Sequence, residues 1–415
     1  MSDNIPFDIQ VDIMNRLPVK SLMQFRSLSK SWKAAIDCND FIRRYGFHEV
    51  ENRNFILTYK LDNMGLLFNV DDNLGFTTIN TDLMLHTLKP VATSEGVWCF
   101  SYTDNVMIVL WNPSIKRSVG VSVPSYMDQP DSPKMVLGFG VRPDTLDPTI
   151  LKINYPYYGE GPWYVSVFTL SSGRWTILGN NHLPRQTIRL KRSGQACVGG
   201  KIYWPASERF VTDHGGVYKI YMLVSFDLIT HRFRVVNLPE QLSDLIPFPF
   251  TISHLGNSLV VSSSYYLEDI RFLCAWALEI VGGFITSFQM LFNIPFPVDH
   301  VLKLLGFTKD EEPIVEANVS QQLRRSLQVF VPNAESFQNV GVEGDSGSFA
   351  VGHIKESLIL FNFNHRELIG GFNLMRPSSE NLGTLRKVFD HETTLDRSIV
   401  VSPNCFIGHE DLVIA

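Results

Sequence analysis

The chain has 415 residues, 45% of them hydrophobic and 19% charged, which excludes a mainly disordered polymer and allows two or three domains with cores of their own. With 36 basic against 42 acidic residues the net charge is −6, and no basic block stands anywhere in the chain, so no nucleic-acid partner is expected. Aromatic residues make up 12%, phenylalanine alone accounts for 29 positions, and such a composition favours strands.

The first 47 residues nevertheless read as helices. In IPFDIQVDIMNRL, Ile5, Ile9, Ile13 and Leu17 fall four apart and form one helical stripe. Pro6 suits a first helical turn, Asp8 favours the positive end of the helix, and Pro18 stops it. Ser21 and Gln24 make an S-x-x-Q capping box for a second helix, along which Leu22, Phe25, Ser29, Trp32 and Ile36 keep helical spacing. Asn39 or Asp40 is placed to cap a last short helix over 41–45. A head this small cannot bury so much apolar surface alone, so its stripes need a partner, either the rest of the chain or another polypeptide.

The run from Ile5-Pro6 through Ile13, Leu17-Pro18-Val19-Lys20-Ser21-Leu22, Phe25-Arg26 and Ser29-Lys30-Ser31-Trp32 to Asp40-Phe41-Ile42 resembles the F-box of plant F-box proteins. The match spans about 40 residues at nearly every position of the pattern. Ser27 and Leu28 stand where Cys and Val are common, and neither change alters which positions are buried. The resemblance implies docking on the Skp-type adaptor of a cullin ubiquitin ligase. Matched position by position, Ile5, Pro6, Ile9, Ile13, Leu17, Pro18 and Leu22 would bury into that adaptor, and Phe25 and Trp32 would form the module's own core. Helix-in-groove recognition, with a few apolar anchors carrying most of the energy, is the matching physics.

From about Phe55 the pattern becomes short alternating runs separated by turn residues. One unit recurs: an apolar strand led by an aromatic, a turn of a few residues, then a second strand. The leading aromatics are Phe68, Trp111, Phe168, Phe226, Trp276, Phe330 and, more weakly, Phe361. Their spacing suits one four-stranded propeller blade per period, and such hairpins must stack around an axis to cover their apolar faces. An irregular pair of β-sandwiches is the other reading of so loose a period. Phe361 is expected to start a closing strand. Leu110-Trp111-Asn112-Pro113-Ser114, Leu137-Gly138-Phe139-Gly140, the VSVFTLSSGRW run at 165–175, Gly200-Lys201-Ile202-Tyr203-Trp204, SFDLITHRFRVVNLP at 225–239 and Lys355-Glu356-Ser357-Leu358 resemble the kelch-like F-box-associated region of plant proteins. Val141-Arg142-Pro143 and Ser287-Phe288 depart from that pattern.

The expected fold is α+β and multidomain: a small all-α F-box head over 1–47, then an all-β kelch-like propeller of six or seven blades over 48–375. Residues 376–415, opening on Arg376-Pro377-Ser378-Ser379, carry mixed charge and read as a C-terminal tail, packed under the propeller or disordered. The stretch 272–294 is long enough to cross a bilayer, but Glu279, Gln289 and Gly282-Gly283 interrupt it. It is expected as two buried strands around a Gly-Gly turn, with no membrane partner.

Catalytic motifs are missing. The five cysteines, Cys38, Cys99, Cys197, Cys274 and Cys405, form no CxxC pair and suit a reducing compartment, the cytoplasm or nucleus. The eleven histidines form no HxH or HExxH set, and His214 and His300, each beside an aspartate, read as solvated loop residues. Gly194 to Lys201 fails as a phosphate loop because Ile202 follows the lysine where a hydroxyl residue is needed. No cofactor, metal or catalytic residue is therefore expected. The resemblance implies a non-catalytic substrate receptor, and the competing reading is a propeller hydrolase or oxidase with a helical cap. The target protein is not named by the sequence. The loops around 122–135, 154–164, 205–217 and 241–250 are candidates to recognise it, with Tyr155, Tyr157, Tyr158 and Trp163 as anchors.

Overall fold

The computed structural model describes residues 5–46, 54–360 and 367–369, apart from positions 63, 72, 82, 84, 103–105, 125–132, 157–160, 180–182, 192–193, 213, 215, 247–248, 269, 297–301, 319–323 and 333–335. Phe361, Tyr157, Tyr158, His300 and the tail 376–415, all named above, lie outside the described residues.

Four short helices open the chain: α1 (Phe7–Met14), α2 (Val19–Leu28), α3 (Lys30–Ile36) and α4 (Asn39–Gly46). The helical spacing across 22–36 hides a break. Ser29 leaves the helix with φ −144° and ψ 134°, and its hydroxyl accepts from the Trp32 amide at 3.5 Å, capping α3. The Ser21–Gln24 capping box does not form. Helix α2 starts three residues earlier, after Pro18, and Ser21 lies within it. The partner of the α2 N-terminus is distant in sequence: Glu356 Oε2 accepts from the Val19 amide at 2.9 Å. A carboxylate there satisfies an orphan donor and meets the positive end of the helix.

After the helices come six antiparallel sheets, and the strand-rich part of the chain is a six-bladed propeller. The second blade runs β4 (Leu88–Ser94), β5 (Val97–Tyr102), β6 (Met107–Asn112) and β7 (Arg117–Ser122); β26 (Glu367–Ile369) adds to its outer edge in parallel. The third runs β8 (Pro133–Val141), β9 (Pro148–Pro156), β10 (Tyr164–Thr169) and β11 (Arg174–Ile177). In the fourth, the inner strand is split into β12 (Ile188–Leu190) and β13 (Ala196–Val198), followed by β14 (Lys201–Val211), β15 (Val217–Asp227) and β16 (Phe233–Asn237). The fifth is β17 (Thr251–Leu255), β18 (Ser258–Leu267), β19 (Ile270–Val281) and β20 (Phe284–Phe296), and the sixth β21 (Leu302–Phe307), β22 (Pro313–Asn318), β23 (Arg324–Val331) and β24 (Ser336–Asp345). The first blade is assembled from both ends: β1 (Phe55–Leu61), β2 (Met64–Val70) and β3 (Phe76–Thr78) receive β25 (Ala350–His353) as their inner strand. The ring thus closes at 350–353, ahead of the closing strand expected at Phe361.

Phe68, Trp111, Phe168, Phe226, Trp276 and Phe330 all fall on the third strand of their blades. That strand is hydrogen-bonded on both edges and packed on both faces, so a large ring there fills the space between neighbouring blades. In three blades the ring meets an aromatic directly across the next strand: Phe168 and Trp175, Phe226 and Phe233, Phe330 and Phe337, with centroids 4.9–5.4 Å apart. Glycine serves one close approach: a Cβ on Gly138 of β8 would lie 2.5 Å from the Trp204 ring of the next blade. The apolar stretch 272–294 is β19 and β20, turning at Gly282 and Gly283, both with positive φ. Only β19 is buried. Outer strand β20 is largely exposed, which corrects the expectation of two buried strands. No described helix is long and apolar enough to cross a membrane.

Candidate functional site

Met14, Val19, Leu22, Ile36, Phe41 and Tyr45 form the core of the helical head. Phe25 and Trp32 pack against it edge to face, with centroids 5.1 Å apart, and Trp32 Nε1 donates to Gln10 Oε1 at 3.1 Å. Arg26 grips Asp37 through two bonds of 2.6 and 2.9 Å, and Lys33 adds a third at 2.9 Å, which ties α2 to α3. Burial opposes the Asp37 charge, but these cations outweigh it and hold its carboxyl below the ordinary range.

One side of this head stays open. Ile5, Ile9 and Ile13 are exposed, Ile9 and Ile13 each at 49%, and Pro6 and Pro18 are exposed beside them. Leu17 is half-buried against the core. Leu22 departs from its expected role: it is 0% exposed and packed at the centre of the head, so it has no surface to offer a partner. Phe7 is exposed as well, but it opens α1 seven residues before buried Met14 and so lies on that residue's side of the helix, away from Ile9 and Ile13. The helix starts at Phe7, so Ile5 lies outside it.

The head is fastened to the propeller by the segment that follows β25. Leu358 is fully buried in the head core, and Ile115, from the turn between β6 and β7, packs on the same core. Glu356 Oε2 lies 3.0 Å from the Tyr45 hydroxyl as well as 2.9 Å from the Val19 amide. Burial, then the Glu356 charge, pushes the Tyr45 phenol well above its usual range, so it stays a proton donor. Asn112, 0% exposed, donates both amide protons, to the Ser357 carbonyl at 2.9 Å and the Ile359 carbonyl at 2.8 Å. Lys355 pairs with Glu95 in the turn between β4 and β5.

Strand alternation then assigns the faces of the ring. Turns between strands one and two, and three and four, of each blade open on one face; turns between strands two and three, and links between blades, open on the other. The head contacts, at 95, 115 and 355–358, belong to the first face. The described residues at 122–135, 154–164, 205–217 and 241–250 belong to the second, those at 205–211 as part of strand β14. Two of the proposed anchors do not stand on it. Tyr155 is 0% exposed, with its hydroxyl donating to the Leu190 carbonyl at 3.0 Å, and Trp163 is buried beside it, ring centroids 5.3 Å apart. Both fill the space between the third and fourth blades.

A cavity of about 270 Å³ lies between the first and sixth blades, lined by Asp71, Asp310, Glu312 and Lys309 among others. Asp71 Oδ1 is occupied by its own turn, accepting from the amides of Asn73 and Gly75 at 3.0 and 2.8 Å. Among the described residues, no three His, Cys, Asp or Glu side chains are grouped to hold a metal ion. Burial raises the thiols of Cys99, Cys197 (to about 11) and Cys274 (to about 12), which keeps them protonated and weakly nucleophilic.

Comparison with known families matches residues 2–44 to the F-box domain and residues 53–253 to the F-box associated beta propeller domain. The chain is 25% identical over 363 residues to a putative F-box protein of Arabidopsis thaliana, covering 82% of each chain. It is 22% identical over 354 residues to an F-box/LRR-repeat/kelch-repeat protein of the same plant, covering 82% of this chain and 92% of that one. A protein named peroxiredoxin-2A, also from A. thaliana, is 25% identical over 337 residues, 74% of this chain and 57% of its own. The fifth and sixth blades lie almost wholly beyond the matched family segments, and strand pairing alone adds them to the ring. Helical head, six-bladed ring and both family matches agree: this chain belongs to the F-box proteins that carry an F-box-associated β-propeller.

Proposed function

We propose that the head docks a Skp-type adaptor and, through it, a cullin, and that the propeller holds a target protein for ubiquitin transfer. In this reading the chain is a non-catalytic receptor: chemistry belongs to its partners, and it contributes proximity. The carrying observation is the apolar stripe of Ile5, Ile9 and Ile13, left exposed by a head whose own core is already complete. Such a patch, flanked by Pro6 and Pro18, fits helix-in-groove docking, with Leu17 at its edge. A reducing compartment fits the four described cysteines, all of which are free thiols.

Ile13→Asp tests this. Ile13 is half-exposed in the free chain, so the variant folds with an unchanged melting temperature. In the docked state the new charge is buried unpaired, which costs about 2 kcal/mol or more, some 30-fold in Kd for a purified Skp-type adaptor. Leu22→Ala is the control: it opens a cavity in the head core, costs about 2–5 kcal/mol of stability and lowers the melting temperature. Undiminished adaptor binding by the Ile13→Asp chain would refute the docking assignment.

A further inference from the structure

The fourth and fifth blades differ from the others on the face away from the head. Strands β14 and β15 are 11 residues each, and β18 and β19 are 10 and 12, against 6 for β5 and β6. Their hairpins therefore project past the ring. Side-chain alternation shows what each presents to the other. Tyr203 and Leu223 of the fourth blade pack into the core it shares with the fifth, as do Leu259, Val261 and Cys274 from the opposite side. Both hairpins pair without register shifts. Carried outward in steps of two, the side of the fourth-blade hairpin facing the fifth bears Arg209, Val211, Val217 and Lys219. The opposing side bears Leu267 and Ile270 beyond the stacked Tyr265 and Phe272.

The four aliphatic side chains there are exposed, Val211 at 66% and Leu267 at 55%. Arg209 sits directly opposite Lys219 in the register, a like-charge pair that costs stability. Lys191, paired in register with Pro205, extends the same side. Among the described residues none of these three cations has an ion-pair partner. Burial and the nearby Lys219 charge both lower the Lys191 pKa. The fourth-blade hairpin is held at its base: Glu208, 3% exposed, takes two bonds from Arg185 at 2.6 and 3.1 Å. The exposed positions recur at every second residue along each strand, the same period at which an extended chain presents its side chains.

We propose that the cleft between these hairpins binds an extended segment of the target protein in which carboxylates alternate with aliphatic side chains. This deepens the receptor reading and rests on it. Carboxylates relieve the repulsion of Arg209, Lys219 and Lys191, while aliphatic groups cover Val211, Val217, Leu267 and Ile270. The position, on the face opposite the head, leaves the adaptor patch free while the target is held.

A phage library of random 12-residue peptides, selected on the full chain, tests this, with Kd of the selected peptide measured by fluorescence anisotropy. The expected result is a selected class rich in Asp and Glu beside Val, Leu or Ile, bound more weakly as salt rises. The variant R209E/K219E loses at least tenfold in Kd and regains it when the peptide's acids are exchanged for lysines, and V211S/L267S loses affinity for both peptides. Recovery by charge exchange separates recognition from misfolding. Selection without an acidic class, equal binding to all variants, equally tight binding of a single-stranded oligonucleotide, or dimerisation through this cleft overturns the proposal. The adaptor experiment with Ile13→Asp is scored separately. If adaptor binding is normal and the cleft variants are silent, the cleft is wrong and the receptor stands. If no adaptor binds the wild-type chain, the receptor reading itself fails.

Discussion

Ile13 and Leu22 are both apolar residues of the helical head, and both match adaptor positions of the F-box pattern, yet one is half-exposed and the other sealed. Periodicity identifies a stripe without saying which stripe faces inward. Two helices cross here, and the crossing turns Leu22 towards Tyr45 and Phe41. The same limit governs Tyr155: an aromatic near a loop reads as an anchor until the neighbouring blade covers it. A pH effect belongs at this scale. His254 of β17 and His353 of β25 lie with ring centroids 6.4 Å apart. Burial, then the charge of His353, lowers His254; His353 itself stands exposed at the end of β25. A folded value below the unfolded value of about 6.5 means that the unfolded chain takes up protons first as pH falls. Stability present above pH 6.5 is therefore lost as pH drops below it. The carboxylates Asp37 and Glu208, held low by their cations, add their own loss only at more acid pH. Thermal melts between pH 7.5 and 5 are expected to show a falling midpoint, with a flatter slope in His254→Asn/His353→Asn.

Elements formed where the local pattern was strong, and their ends moved where a distant residue intervened. The aromatic period located the third strand of every blade, because that position is packed on both faces whatever the loops do. Helix α2 shows the opposite case. A serviceable capping box at Ser21 and Gln24 lost to Pro18 and to Glu356, whose carboxylate arrives from the far end of the propeller. A half-buried carboxylate held by an amide and a phenol outcompetes a hydroxyl that solvent satisfies equally well. Glu356→Ala is expected to destabilise the head by about 1 kcal/mol and to speed hydrogen exchange at the Val19 amide, whereas Ser21→Ala leaves both unchanged. Equal effects from the two substitutions would return the capping role to Ser21.

For the whole molecule, closure is the deciding event. Strand β25 pairs with β1 across nearly the full propeller sequence, Phe55 opposite His353 and Thr58 opposite Ala350. The same stretch of chain then runs into the head core through Leu358. Ring closure and head attachment are thus a few residues apart. A chain ending at residue 349 is expected to lose cooperative unfolding, since it exposes the inner edge of the first blade and removes Glu356 and Leu358 together. A single sharp melting transition in that truncation would show that the closing strand is dispensable. Sequence by itself determined the two-part plan, the apolar stripe of the opening helix and the blade period, because each is written in local spacing that burial enforces. Blade count, the face opposite the head, the fate of Leu22 and Tyr155, and the reach of Glu356 were decided by tertiary structure alone. Each depends on which residues distant in the chain become neighbours, and spacing along one segment carries no record of that.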